Sequence, residues 1–313
     1  VKVFEAAQIR RAVGFADLVE PVAEVLAEFS RGRGEAPISV FRPAGDSGDV
    51  HVKSAWMPGR SVFTVKVATW FAAADPHADG FVAAHDARTG RLLAVLRDEH
   101  HLTDMRTAAA GAVAARALGR PDSRSLAVLG TGIQAYAQAL AIRTVLPVER
   151  VLIWGRRREA ASALRDALAA TLPDVTVRDD PAQAVREADV IVTATASTSP
   201  VLDGRWLRPG QHVTAVGADD PSKSELDPAC FERADLVVVD GRAAAAAMAG
   251  DLRAARAGID AELGEVLLGR HPGRTSDSQI TVAKLVGLGI QDLVAAETAL
   301  RLLDPSLTVE HFS

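Results

Sequence analysis

The sequence predicts an α/β chain: a doubly wound parallel sheet together with a second, α+β domain. Three observations carry this. From Ser125 onward, short apolar strands alternate with helix-forming segments, the pattern of a parallel sheet with helices on its faces. The first of those strands, Ser125-Leu126-Ala127-Val128-Leu129, runs through a glycine-rich turn directly into a helix former. Between residues 38 and 96 the chain instead holds β-like runs separated by turn residues, with no helix between them, as expected of mostly antiparallel strands.

Taken in order, residues 14–31 read as an amphipathic helix, because Leu18, Val22, Val25, Leu26 and Phe29 recur at helical spacing and Gly32 lies just past the end. Five β-like runs follow, at residues 38–42, 50–55, 61–69, 81–86 and 92–96, with Pro43-Ala44-Gly45-Asp46 and Thr89-Gly90 among the turns. Residues 102–118 form a helix of small side chains that can pack closely against its neighbours. Strands are then expected at 126–129, 151–154, 175–178, 190–195, 212–216 and 236–240, with helices at 134–145, 159–172 and 181–188 between the first four. A last helix, residues 290–303, most simply returns to complete the first domain. The expected division is therefore residues 1–118 and 290–313 for one domain and 119–289 for the other.

At 313 residues the chain is long enough for two domains. Its net charge of −5 lacks the basic footprint of a nucleic-acid ligand. The single cysteine, Cys230, excludes an intramolecular disulfide and fits a reducing cytoplasm. No apolar run approaches the roughly 18 residues needed to span a bilayer. The first residues show alternating charge and helix-like spacing rather than a signal sequence. A cytoplasmic protein with no nucleic-acid or membrane partner is the expectation. No metal is expected, since His100 and His101 have no ligand-spaced neighbours. Nucleophilic catalysis has no support either: G-x-S-x-G is absent and Cys230 sits in an ordinary helix start.

The turn Gly130-Thr131-Gly132-Ile133-Gln134-Ala135 reads G-x-G-x-x-A. Gly130 permits the tight turn, Gly132 lets backbone approach a pyrophosphate, and Ala135 lets the helix pack close to its strand, which makes this a Rossmann-type dinucleotide site. The strand that follows ends in Gly155-Arg156-Arg157-Arg158, with no carboxylate before Glu159. Guanidinium groups at that corner suit a 2′-phosphate, so NADP(H) is preferred and NAD(H) possible; the alternative is a solvated basic helix start. Lys66 lies inside the aliphatic run Val62-Phe63-Thr64-Val65-Lys66-Val67-Ala68. It either has an anionic partner in the interior or points to water from an edge strand. If Arg42 and Arg106 converge on it, the three cations make a carboxylate pocket. Asp219 follows the strand at 212–216, at the end that faces the ligand crevice of a parallel sheet. It is placed either for acid/base work or for a turn cap, and Lys223 either for cofactor phosphates or for solvent.

The chain resembles the ornithine cyclodeaminase/μ-crystallin family across almost its whole length. The most specific pieces are Leu102-Thr103-Asp104-Met105-Arg106-Thr107-Ala108-Ala109, the 130–135 turn, the run from Val216-Gly217-Ala218-Asp219 to Leu226, Ala261-Glu262-Leu263-Gly264-Glu265-Val266, and Val286-Gly287-Leu288-Gly289-Ile290-Gln291-Asp292. The resemblance implies a homodimer with a Rossmann domain and a substrate-binding and dimerisation domain. It implies an NAD(P)H-dependent oxidoreductase of an α-imino or α-amino acid, either an imine or ketimine reductase or an amino-acid dehydrogenase. The alternatives within it are an ornithine or lysine cyclodeaminase that recycles NAD in the site, and an NADP-binding protein without activity. By position, Arg42, Lys66 and Arg106 resemble the residues that hold the substrate carboxylate. Asp219, with Lys66, resembles the catalytic pair. Gly130, Gly132, Gln134 and Ala135 match the phosphate turn. Thr107, Thr195, Gly217 and Lys223 resemble further cofactor contacts. Four departures from the cyclodeaminases are visible. Ala55 replaces the glutamate expected just before the Leu-Met-Pro stretch, here Trp56-Met57-Pro58, and Val282-Ala283-Lys284-Leu285-Val286-Gly287 stands where Phe-Asp-Ser is expected. The aspartate after the second strand is missing, and the 70–80 loop is short.

Overall fold

The computed structural model describes residues 1–172 and 174–307. It begins with β1 (Lys2–Glu5), α1 (Ala6–Ala12) and α2 (Val19–Ser30). Next come β2 (Ile38–Phe41), β3 (Gly48–Ala55), β4 (Val62–Phe71), β5 (Ala78–Asp86), β6 (Leu92–Arg97) and α3 (His101–Leu118). The alternating segment holds β7 (Ser125–Leu129), α4 (Ile133–Arg143), β8 (Arg150–Trp154), α5 (Arg158–Ala169), β9 (Asp174–Val177), α6 (Pro181–Glu187) and β10 (Val190–Thr193). It continues through β11 (His212–Ala215), α7 (Pro228–Glu232), β12 (Leu236–Val239), α8 (Arg242–Met248), α9 (Gly250–Ala255), β13 (Ala261–Glu262), α10 (Leu263–Leu267) and β14 (Thr281–Lys284). Helix α11 (Gly289–Leu303) is the last of the series.

Two compact units result. One is Val1–Arg106 together with the chain from Leu288, and the other is Thr107–Gly287. The division falls inside α3, twelve residues before the boundary drawn from sequence. The reason is in the bonds of that helix. Thr103 and Arg106 bond to Lys66 and to residues of α11. Further along, the Thr107 carbonyl accepts from Gln138, and the Leu118 carbonyl accepts from Arg274 and Thr281.

The first unit is built on a six-stranded sheet in the order β1-β6-β5-β4-β3-β2. Neighbours are antiparallel except β1 and β6, which run parallel. β4 is therefore an interior strand. Its side chains alternate as a half-covered strand requires: Val62, Thr64, Lys66 and Ala68 are buried, while Phe63, Val65 and Val67 are only partly so. Helix α2 buries Val22, Val25 and Leu26 as its spacing predicts, and Gly32, at φ +78°, follows its end. The opening segment differs from the helical reading. Residues 2–5 are extended and pair with β6, and only then does α1 begin.

The second unit is an eight-stranded, wholly parallel sheet in the order β13-β12-β14-β11-β10-β7-β8-β9. All residues of β7, β10, β11 and β12 are buried, as in a sheet covered on both faces. Consecutive residues of β7 divide between two cores: Ala127 and Leu129 join one cluster, Leu126 and Val128 the other. The strand order reverses at β7, with β8 and β9 to one side and β10 to the other. The carboxyl ends of β7 and β10 thus form the switch point where such sheets take ligands. β14, inserted between β11 and β12, has no sequence signature, since four residues ending in a lysine show no strand periodicity. Cys230 on α7 is fully buried with its Sγ 3.4 Å from the Leu202 carbonyl, and burial pushes the thiol well above its ordinary range. Among the described residues, no helix is long and apolar enough to cross a membrane, and no group of three or more His, Cys, Asp or Glu could hold a metal ion.

Candidate active site

The glycine turn leaves β7 and enters α4 with Gly132 as its N-cap. Gly130 has φ +141°, and a Cβ there would lie 2.3 Å from the Ala194 carbonyl oxygen. No other residue fits. Gly132 faces open space, and among the described residues no side chain caps α4, so this helix N-terminus suits an anion. Ala135 is fully buried in the same cluster as Val128 and Val192. A cleft of about 510 Å³ runs along this turn, lined also by Gly155, Arg156, Arg157 and Thr195. A second hollow of about 380 Å³ shares Trp154, Gly155 and Arg156 with it and adds Arg158 and Arg178. All three arginines, Arg156, Arg157 and Arg158, are exposed, and Arg158 is held by Asp179. The donors fit a dinucleotide: a side-chain-free cradle for the pyrophosphate, and cations where the ribose of the adenosine would end.

The carboxyl ends of β10 and β11 are tied together by a residue the sequence reading passed over. Glu225 is fully buried and accepts five hydrogen bonds: Thr195 N at 2.6 Å, Thr195 Oγ1 at 2.9 Å, Thr193 Oγ1 at 2.8 Å, Gly217 N at 2.7 Å and Ala218 N at 3.2 Å. A Cβ on Gly217 would lie 2.1 Å from the Thr195 carbonyl oxygen, so glycine is obligatory there. Asp219, half-exposed, lies two residues beyond, and Lys223 Nζ donates to its Oδ1 at 2.8 Å. Lys223 thus bonds to the proposed acid/base.

In the first unit, Lys66 is interior and paired, so the water-facing alternative is excluded. Its Nζ donates to Asp292 Oδ1 at 2.9 Å and to Thr103 Oγ1 at 3.1 Å. Arg106 Nε donates to the same Asp292 oxygen at 2.9 Å, and its Nη1 donates to Gln291 Oε1 at 3.0 Å. Lys53 stands opposite Lys66 in the β3–β4 register and is also buried. Burial alone would raise the Asp292 carboxyl, but Lys66, Arg106 and Lys53 hold it down at about 2. Burial lowers Lys66, against the pull of Asp292 and with the help of Arg106. Asp292 Oδ2 and Gln291 Nε2 are buried with no hydrogen-bond partner among the described residues.

The three expected cations are not equally placed. Lys66 and Arg106 meet on one carboxylate oxygen. Arg42 is exposed just past β2, on the Lys66 face by strand alternation but four residues further along, roughly 13 Å of strand rise. Thr107 lies on α3 at the first position of the second unit. Asp292, Lys53 and Glu225 were missed. Asp292 and Glu225 lie inside quoted family segments, and Lys53 has the same signal as Lys66, a lysine within an apolar strand.

Residues 2–301 match the family model described as the ornithine cyclodeaminase/mu-crystallin family. Ketimine reductase mu-crystallin of Mus musculus is 36% identical over 291 residues, 90% of each chain. A Delta(1)-pyrroline-2-carboxylate reductase of Bacillus cereus is 34% identical over 309 residues, 94% of each chain. Among solved structures, an archaeal alanine dehydrogenase dimer with bound NAD superposes with a TM-score of 0.89 at 27% identity, covering 99% of this chain and 98% of that one. The chain belongs to the ornithine cyclodeaminase/mu-crystallin family.

Proposed function

We propose that this chain is an NAD(P)H-dependent oxidoreductase of an α-imino or α-amino acid, an imine or ketimine reductase or an amino-acid dehydrogenase. The buried cluster of the first unit carries the reading. Two cations, Lys66 and Arg106, share one oxygen of Asp292, which leaves a positive site closed from water, suited to a substrate carboxylate. Lys66 and Arg106 hold that carboxylate, and Arg42, at the far end of the same sheet face, is left with a role at the entrance. The glycine turn with Gln134 and Ala135 holds the pyrophosphate, and Thr107, Thr195, Gly217 and Lys223 make further cofactor contacts. Arg156 and Arg157 favour the 2′-phosphate, hence NADP(H) over NAD(H). When bound, the nicotinamide exchanges a hydride with the α-carbon. Asp219 holds or delivers the proton at the substrate nitrogen, and Lys66 is the second catalytic residue of this reading.

The outer face of the six-stranded sheet supports a homodimer. Val3, Val52, Val65, Val67, Phe81 and Val95 share that face by register, with Val3 52% and Phe81 38% exposed. A contiguous apolar sheet face is an association surface. Phe81→Asp should yield monomer in light scattering; an unchanged mass would remove this face from the interface.

The test of activity is NADPH and NADH absorbance decay with pyrroline- and piperideine-carboxylates, and with keto acids plus ammonia or methylamine. Decay establishes a reductase. Ammonia release from ornithine or lysine with no net cofactor change would establish a cyclodeaminase instead. Tight NADPH binding without either reaction would leave a binding protein.

A further inference from the structure

The second unit contains a buried ionic device that neither the glycine turn nor the proposed acid/base requires. Lys284, the last residue of β14, is fully buried. Its Nζ lies 3.4 Å from Asp251 Oδ2, also fully buried, and neither atom makes a hydrogen bond among the described residues. Burying a lysine to this depth is costly unless something is gained. Glu225 lies at the same end of the sheet: Lys284 is in register with Ala215 and Ala215 with Thr193, which puts Lys284 on the sheet face of Thr193, whose hydroxyl donates to Glu225. Burial pushes the Glu225 carboxyl up, and Lys284 is the strongest influence holding it down. Three of the five donors on Glu225 are backbone amides, those of Thr195, Gly217 and Ala218. Amides cannot accept, so the proton of a neutral Glu225 could go only to the Thr193 or Thr195 hydroxyl, at the cost of the bond that hydroxyl now donates. On its other side, Asp251 is the second residue of α9. The first, Gly250, lies so close to the Asp219–Lys223 loop that a Cβ would meet the Lys223 carbonyl oxygen at 2.1 Å and those of Asp220 and Pro221 at 2.9 Å. Lys284 therefore stands between the carboxylate that ties the β10 and β11 ends and the helix that underlies the Asp219 loop.

We propose that Lys284 is a positioning residue: it is the counter-ion that keeps Glu225 ionised, and ionised Glu225 fixes Thr195, Gly217 and Ala218 beside Asp219. The consequence for catalysis rests on the function proposed above, while the electrostatic linkage stands without it. Facing this pair are Asp251 from α9, Thr193 and Thr195 from the end of β10 and, alongside, Asp240, whose carboxylate accepts from the amides of Val286 and Gly287. A merely structural lysine would serve only to neutralise Asp251.

The two roles separate in the pair K284M and K284M/D251L. The single variant orphans Asp251 and should lose stability. The double variant removes that carboxylate, so melting temperature should recover. Amide hydrogen exchange at Thr195, Gly217 and Ala218 is then followed in ligand-free protein from about pH 5 to about pH 9. In the double variant, protection should fall about tenfold or more at the acid end, where Glu225 is protonated, and return as pH rises; the native protein should stay level. NADPH affinity should follow the same pH course. A double variant that overlays the native protection profile overturns the proposal. Should it fail to fold, E225Q decides with Lys284 in place: these amides should lose protection at every pH, and native protection would overturn the proposal. Exchange requires neither substrate nor cofactor, so a chain inactive on every imine would remove the proposed function without touching this result.

Discussion

Asp292→Asn keeps the shape of the side chain and removes the charge on which Lys66 and Arg106 meet. Two figures bound its effect. The carboxyl sits at about 2 in the fold against an ordinary 3.8, which corresponds to about 2.5 kcal/mol of stability at neutral pH. Breaking one side of a buried ion pair costs about 3–5 kcal/mol. The lower end of that range is expected, because Lys66 can shed its proton when its partner is lost, whereas Arg106 cannot. A loss of about 3 kcal/mol corresponds to roughly 10 °C in a unit of this size. The sign with pH is fixed by the depressed carboxyl. Its contribution is complete above the ordinary carboxylate range and disappears as pH falls from about 4 towards 2. Scanning calorimetry of both proteins at about pH 7, 5 and 3 should therefore show a gap of about 10 °C that closes in acid. A neutral-pH gap under about 2 °C, or one that persists undiminished at the acid end, would refute the ion-pair account.

Asp219→Asn should lower kcat/KM by about 10²–10⁴ with NADPH affinity changed by less than about threefold; unchanged turnover would remove Asp219 from the chemistry. Arg157→Ala should weaken NADPH by about tenfold or more, the value of a charged hydrogen bond, and leave NADH unaffected in calorimetric titration. Equal weakening of both cofactors would exclude a 2′-phosphate role. His212 is fully buried between Thr281 Oγ1 and Thr214 Oγ1, each at 2.9 Å. Burial first, then Arg274, lowers its imidazole to about 3. It is neutral in the fold, so stability is complete above about pH 6.5 and erodes below it as the unfolded ring protonates, by about 2 kcal/mol at pH 5. An NMR titration that finds this ring protonating near 6.5 would contradict the burial.

Much of the fold was legible because its signals are local. The glycine turn and the amphipathic α2 each declare themselves within a dozen residues, and the alternation after Ser125 is a repetition of such short signals. β14 did not, because a four-residue strand inside a parallel sheet has no period of its own and is defined by β11 and β12 on either side. The candidate site divides the same way. Gly130 and Gly132 are read from chain geometry, and Lys66 from the cost of a lysine among valines. Its partner was invisible for a physical reason. Asp292 is 226 positions away in sequence, on the first turn of a helix whose composition is ordinary, and only packing of α11 on β4 brings the two together. Glu225 likewise reads as one more polar residue in a loop until five donors are found around it.

The chemistry of Cys230 has a practical consequence. The only thiol in the chain is buried on the inner side of α7 and held in its unreactive protonated form. A maleimide or a spin label added to the folded native protein should therefore find no target. Any cysteine introduced at the surface becomes a unique attachment point without first removing the native one. Ile133, 60% exposed at the start of α4 beside the glycine turn, is the obvious place for a fluorophore. From there a dye would register dinucleotide arriving and leaving in real time, with no turnover required.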